Sequence, residues 1–181
     1  MHLFTTWLSE IEVERLSHIN PFLSAITSVF QKVLACPLTR GQPYLKNRSQ
    51  PSHHVSGIIG LTGKAVGTVV LSFDRDVAIK AAEALLHERL EDINADVVDM
   101  IGELTNMVAG AAKAQLECYD MNVSLPSVIV GKNHVVQFPS SVTPICVPYT
   151  SAWGPVTLEV SLVVKEETEN QLETAGAASA N

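Results

Sequence analysis

The predicted fold rests on two similar stretches of sequence, IGLTGKAVGTVVL at residues 59–71 and VPYTSAWGPVTL at residues 147–158. Each stretch contains an apolar run, then turn residues, then a strand of the form G-x-V-x-L that begins at Gly67 or Gly154. Each also follows a segment with helical periodicity. The repeated order predicts a pseudo-twofold α+β domain with its long helices on one face of an antiparallel sheet. Two unrelated hairpins would share the strand pattern, so the repeat alone does not establish the symmetry.

The first half of the chain is predicted to contain one helix and three strands. Asn20 and Pro21 are typical of an N-cap and a first helical position, and the helix is expected to end near Cys36. Gly63 supplies turn chemistry between the second and third strands. The three strands are predicted at 42–46, 55–61 and 67–73.

The second half is predicted to contain two helices and four strands. Asp74 begins a short helix that ends near His87, and Asn94 caps a longer helix that runs to about Glu117. The apolar stripe of the longer helix is Val97, Ile101, Leu104, Val108 and Ala111. The four strands are predicted at 127–130, 135–138, 145–150 and 155–164.

The length and composition predict one globular domain. Of the 181 residues, 46% are hydrophobic and 17% are charged, so the chain can bury a single substantial core. We assign residues 1–165 to this domain. Residues 166–181, EETENQLETAGAASAN, are acidic and then small and polar. They predict a mobile tail, because they offer little apolar surface to offset the entropy of ordering.

Charge and residue usage argue against several classes of partner. The formal net charge is −7 and the 12 Lys and Arg residues are scattered, so nucleic acid is not expected as a binding partner. No apolar run has the length of a membrane span, and residues 1–18 carry carboxylates, so we expect a cytoplasmic protein without a membrane partner. The three separated cysteines and the adjacent His53 and His54 lack metal-ligand spacing, so no metal or other cofactor of its own is predicted.

The segment 99–113, DMIGELTNMVAGAAK, carries the residues best suited to chemistry. Residues three and four apart on a helix are neighbours, so a strip of polar and small residues lies opposite the apolar stripe. Its members are Asp99, Glu103, Asn106, Gly110 and Lys113. Gly102 and Gly110 each weaken the helix by about 1 kcal/mol relative to alanine, which suggests that another group comes close to the helix backbone at these positions. By spacing alone, this strip could also be an ordinary solvated helix face.

The motif D-x-x-G-E-x-x-N-M-x-x-G at residues 99–110 resembles the signature of the CheC, CheX and FliY phosphatases, whose active-site helix carries E-x-x-N. The resemblance is closest to CheX-like members and extends from about Asn20 to Val164, through NPFLSAI, SGIIGLTG, GTVVLSF and SLPSVIVG. It implies a CheC-like helix-plus-sheet fold, in agreement with the internal repeat. CheC-type proteins can carry two such motifs, but residues 21–36 contain no carboxylate, which predicts one site.

The resemblance implies a phosphatase that hydrolyses the aspartyl-phosphate of a CheY-like response-regulator receiver domain, in chemotaxis or another two-component signalling pathway. Asn106 would position the attacking water, and Glu103 would dock on the receiver's active-site lysine. Mg²⁺ is expected on the receiver rather than on this chain, and the chain is expected to form a homodimer through strand edges. The residues implied to bind the receiver are Asp99, Gly102, Gly110 and Lys113.

Two other functions remain open at this point. The chain could be a non-catalytic receiver-binding adaptor of the same fold, or a structural dimerisation module. The presence of both Glu103 and Asn106 favours the enzyme, because an adaptor has no chemical need of the amide.

Overall fold

The computed structural model of the chain describes residues 10–46, 52–138 and 142–165, with side chains from Ser17 onward. The predicted tail at 166–181 lies outside these residues. The elements within the described ranges are α1 (Glu10–Lys32), β1 (Thr39–Arg40), β2 (Tyr44–Leu45), β3 (Val55–Thr62), β4 (Ala65–Phe73), α2 (Arg75–Leu86), α3 (Ala95–Lys113), a 3₁₀ turn (Glu117–Tyr119), β5 (Asn122–Val123), β6 (Ser127–Val130), β7 (Ile145–Ser151) and β8 (Gly154–Val164).

The described strands form one antiparallel sheet in the order β1-β7-β8-β4-β3-β5, with β2 also paired to β7 and β6 to β3. Its central pair is β4 and β8, aligned from Ala65 opposite Val164 to Phe73 opposite Val156. The short strands of each half pair with the hairpin of the other half. The strands β1 and β2 extend the β7–β8 hairpin, and β5 and β6 extend the β3–β4 hairpin. This exchange confirms the predicted pseudo-twofold α+β fold.

The helices pack on one face of this sheet. Side chains alternate along a strand, so Val69, Leu71 and Phe73 of β4 join the core while Ser72 points to the other face. The ring of Phe73 stacks on Phe30 of α1 with 6.3 Å between ring centroids. The apolar core therefore lies between the helices and the sheet, as the sequence predicted. None of the described helices is both long and apolar enough to span a membrane.

Irregular chain covers part of the other sheet face. The His134 ring lies 2.8 Å from the hydroxyl of Ser56 on β3, and Lys46 forms a buried ion pair with Glu159 of β8. The segment 135–138 belongs to this covering chain, so its prediction as a strand is wrong. The edge of β3 already pairs with β5 and β6, which leaves no strand partner for the segment there.

The first helix begins earlier than predicted. Asn20 is not its N-cap and Pro21 is not its first residue, because α1 extends back to Glu10. A proline inside a helix removes one backbone hydrogen bond and destabilises by about 3 kcal/mol. Ile19 and Phe22, 2% and 0% exposed, bury apolar surface on both sides of the proline. This burial offsets the loss and keeps the helix continuous.

The segment between α1 and β3 also differs from its prediction. The helix ends at Lys32 rather than near Cys36, because Ala35 adopts a left-handed conformation with φ of 49°. Of the polar strand predicted at 42–46, only β2 (Tyr44–Leu45) forms; β1 (Thr39–Arg40) lies before it and was not predicted, and both pair with β7. Pro43 lacks an N–H and cannot continue a hydrogen-bonded ladder, so the two strands are short.

The boundaries around α2 and the β3–β4 turn are confirmed. The Asp74 carboxylate accepts a 2.9 Å hydrogen bond from the Arg75 N–H, and His87 ends the helix with φ of 57°. Gly63 has φ of 128° in the turn, a conformation that side-chain-bearing residues rarely adopt.

Candidate functional site

The apolar side of α3 fixes how the helix lies in the fold. The Asn94 side chain accepts a 3.0 Å hydrogen bond from the Val97 N–H and caps the helix as predicted. Val97, Ile101, Leu104 and Val108 are all fully buried. The last member of the predicted stripe, Ala111, is exposed, and Ala112 is buried in its place. The helix ends at Lys113 rather than Glu117, where the chain tightens into 3₁₀ hydrogen bonds.

The chain that leads into α3 is tied to α2 by Arg75. Its guanidinium donates to the Asp92 carboxylate at 2.8 Å and to the Glu91 carbonyl at 3.1 Å. The pKa of Asp92 is lowered by the hydrogen bond from the Ile93 N–H and, next, by the bond from Arg75. These contacts are exposed, so they order the entry to the helix more than they stabilise the fold.

A close contact between α3 and β3 sets the position of the helix on the sheet. A β-carbon on Gly57 would lie 2.9 Å from Cβ of Thr105 and closer still to its hydroxyl oxygen. Thr105 is fully buried, and its hydroxyl donates to the Ile101 carbonyl at 2.6 Å. Because only glycine leaves this space, α3 rests directly on β3 at Thr105. Thr105 lies between Glu103 and Asn106 in the sequence, so the contact fixes the helix at the predicted site.

Glu103 and Asn106 lie side by side on the exposed face of α3. Both side chains are exposed, and neither forms a hydrogen bond or ion pair with a described residue. Their three-residue spacing places the β-carbons about 5–6 Å apart. A carboxylate and an amide therefore project together from a fixed helix, free to contact a partner.

Three further residues of the predicted strip lie on the same face. Asp99 is exposed one turn before Glu103, Gly110 is exposed one turn after Asn106, and Lys113 is half-buried. A β-carbon on Gly110 would meet no atom within 4 Å. Gly110 and Lys113 border a shallow cavity of about 350 Å³ at the end of the helix. The surface along α3 thus leaves room for close approach at its C-terminal end.

Gly102 is placed differently from the other predicted receiver-binding residues, because it is buried. A β-carbon there would lie 3.5 Å from the Pro126 ring and 3.6 Å from Val128 at the start of β6. A partner could not touch Gly102 without displacing Pro126. The glycine instead allows the chain before β6 to pack against the flank of the helix.

The longer α1 does not create a second motif. Its extension adds Glu10, Glu12 and Glu14 to the helix, and none of them is followed by asparagine three residues later. Within the described parts of the chain, no group of three or more His, Cys, Asp or Glu side chains is arranged to hold a metal.

Gly57, Thr105 and Pro126 position α3, and none of them was predicted from the sequence as a site residue. Two signals could have pointed to the first pair. A glycine inside a strand rich in β-branched residues often marks close approach by another backbone, and a threonine beside an apolar stripe indicates a buried polar contact. The contact of Pro126 with Gly102 has no local signal.

Comparisons with known proteins agree with this fold and this helix. The family model of the chemotaxis phosphatase CheX matches residues 55–150, which include all of α3. The CheY-P phosphatase CheX of Thermotoga maritima is 26% identical over 121 residues, covering 64% of this chain and 76% of that protein.

Solved structures extend the likeness over most of the chain. The chemotaxis protein CheX of Vibrio vulnificus is 31% identical, with a TM-score of 0.76, covering 81% of this chain and 99% of that one. The CheX–CheY–BeF₃–Mg²⁺ complex of Borrelia burgdorferi contains a chain that is 24% identical, with a TM-score of 0.67, covering 82% of this chain and 98% of that one; at this identity the likeness supports the fold alone. The family model spans more than half of the chain and includes the E-x-x-N helix, so this chain belongs to the chemotaxis phosphatase CheX family.

Proposed function

We propose that this protein hydrolyses the aspartyl-phosphate of a CheY-like receiver domain in chemotaxis. The proposal is supported by the name of its family and by the name of its Thermotoga maritima relative, a CheY-P phosphatase. The observation that carries it is the pair of exposed, unpartnered side chains, Glu103 and Asn106, on a helix that Thr105 holds against the sheet. Response regulators act in the cytoplasm, where we place this protein.

Asn106 is the residue proposed to act on the reacting atoms. An aspartyl-phosphate is a mixed anhydride, so its hydrolysis depends mainly on a water molecule aligned with the phosphorus. The amide of Asn106 can both accept from and donate to that water, and it needs no change of charge to do so. Nothing within the described residues competes for the amide.

Glu103 has a separate role in this proposal. Its carboxylate would form a charge-assisted hydrogen bond with the active-site lysine of the receiver and so set the docking register. The lysine would then no longer contact the phosphoryl group, which opens the path for water. Mg²⁺ belongs to the phosphorylated receiver and enters the complex with the substrate.

The direct test follows loss of phosphate from purified, phosphorylated receivers of the same organism, with and without this protein. We expect acceleration for at least one receiver. Binding to a receiver without acceleration would instead support the adaptor function. If the protein neither binds any receiver of the set nor accelerates its dephosphorylation, the remaining function is that of a structural dimerisation module.

Gly110→Ala is expected to raise stability and lower receiver affinity. The added methyl group meets no atom of the described fold, so the helix should gain about 0.5–1 kcal/mol from the better helix former. A receiver packed against α3 would meet that methyl group directly. Thermal denaturation and a receiver titration measure the two effects.

Gly102→Ala is the matched control for this pair of effects. Its β-carbon would make ordinary contacts with Pro126 at 3.5 Å on the buried side of the helix. It should therefore raise stability without changing receiver affinity. Unchanged affinity in Gly110→Ala would remove Gly110 from the proposed docking surface.

We also propose that the protein is a homodimer joined by strand edges. The two sheet edges end in short strands with exposed apolar residues, among them Leu45 at 53% and Val130 at 46%. Light scattering should give about twice the 19.5 kDa chain mass at micromolar concentration. A mass that stays near 19.5 kDa across that range would contradict the dimer.

A further inference from the structure

Resting on the proposed function, we infer that Leu125 is an apolar anchor for the receiver domain beside α3. Its relative exposure is 88%, the highest among the large hydrophobic residues that the structure describes. A single exposed leucine needs no explanation by itself. Its position and the way its backbone is held are what point to a partner.

The backbone around Leu125 is fixed on both sides. The Ser124 hydroxyl accepts a 2.9 Å hydrogen bond from the Gly60 N–H and donates a 2.8 Å bond to the Leu125 carbonyl. On the other side, the Pro126 ring lies 3.5 Å from the β-carbon position of Gly102. A partner that buries the Leu125 side chain would therefore order little further backbone, which lowers the entropic cost of binding.

This loop stands at the flank of the proposed docking strip. On the helix, Gly102 is the neighbour of Asp99 three residues before it and of Asn106 four residues after it. Pro126 packs on Gly102, so Leu125 lies within roughly 10 Å of Gly102, given the spacing of consecutive Cα atoms. A receiver that reaches Glu103 and Asn106 would come into contact with Leu125.

The chemistry of the surface suggests what the partner presents there. An apolar side chain next to a polar and acidic strip matches the anatomy of a protein interface, in which an apolar centre is buried and polar groups surround it. The complementary surface is an apolar patch close to the phosphorylated pocket of the receiver, with basic groups facing Asp99 and Glu103. A second copy of this chain is a weaker candidate, because Leu125 lies in the link between β5 and β6 rather than on a strand edge.

Leu125→Ser tests this inference, with Leu125→Met as the control that keeps an apolar side chain at the same position. The Leu125 side chain is 88% exposed, so both variants should fold with nearly unchanged melting temperatures. The affinity of each variant is measured by titration with the receiver activated by beryllium fluoride and Mg²⁺. Steady-state dephosphorylation then separates kcat from KM.

We expect Leu125→Ser to bind the activated receiver at least about tenfold more weakly, with a higher KM and a kcat near that of the wild type. Leu125→Met, which keeps an apolar side chain, should bind the activated receiver as the wild type does. Equal affinity of Leu125→Ser and wild type, in a protein that binds and dephosphorylates the receiver, overturns the anchor alone. A mass change of Leu125→Ser in light scattering overturns it in favour of self-association. A wild type that neither binds nor dephosphorylates any receiver overturns the proposed function and the anchor together.

Discussion

Asn106→Ala is expected to slow receiver dephosphorylation by about 100-fold, the scale of loss when a reacting group is no longer held in line for attack. An exposed helical position tolerates alanine, so the fold and the receiver affinity should remain close to wild type. The measurements are loss of phosphate from the receiver, receiver affinity, and circular dichroism as the folding control. Gln115→Ala, which also removes an exposed amide, should leave the rate unchanged.

Glu103→Ala separates docking from water alignment. It should weaken receiver binding as well as turnover, because it removes a charge contact with the partner. The double variant of Glu103 and Asn106 should be little slower than Asn106→Ala, since residues that act as one unit are not additive. Wild-type activity in Asn106→Ala would show that the water is aligned by something else.

Gly57→Ala is expected to give the largest loss of stability. The new β-carbon would overlap Thr105, so α3 must move away from β3 or the strand must shift. Overpacking of this kind destabilises by about 2–3 kcal/mol, which lowers the melting temperature of a domain this size by roughly 5–10 °C. Any fraction that stays folded should also lose phosphatase activity, because the helix that carries Glu103 and Asn106 is displaced.

Gly60→Ala tests whether this loss comes from the contact with α3 or from glycine replacement in β3. A β-carbon on Gly60 would lie at ordinary contact distances from Ser124, 3.6 Å from its hydroxyl oxygen and 3.8 Å from its Cβ. Its melting temperature should therefore stay near wild type. Adding Thr105→Ala to Gly57→Ala removes two of the three crowded atoms and should recover part of the lost stability. Equal destabilisation by the two glycine variants would contradict the contact with Thr105.

The long helices and strands were predictable because hydrophobic residues recur along each of them at a regular helical or strand spacing. The predicted strand 155–164 differs from β8 by one residue at its start, and both caps of α2 are confirmed. The predicted start of α1 at Pro21 is wrong. The local preference of proline for the first helical position is outweighed by the burial of Ile19 and Phe22 on either side of it. The short strands β1 and β5 show no hydrophobic alternation, and they form only because the folded chain brings them beside hairpins that are distant in sequence.

The site was predictable to the extent that it follows from one helix. The apolar stripe from Val97 to Val108 requires that Glu103 and Asn106 point outward, and they do. The burial of Gly102 was not predictable, because it depends on where Pro126 crosses the helix. The catalytic role proposed for Asn106 and the docking role proposed for Glu103 are tested by Asn106→Ala and Glu103→Ala.

The central position of β8 also governs when the protein can fold. This strand pairs with β4 on one side and β7 on the other, and Ala65 meets Val164 roughly a hundred residues further along the chain. During synthesis, β4 and its hairpin therefore leave the ribosome long before their neighbour exists. The exposed strand edge is a template for aggregation in that interval, so a nascent chain that stalls before residue 154 is expected to depend on chaperones.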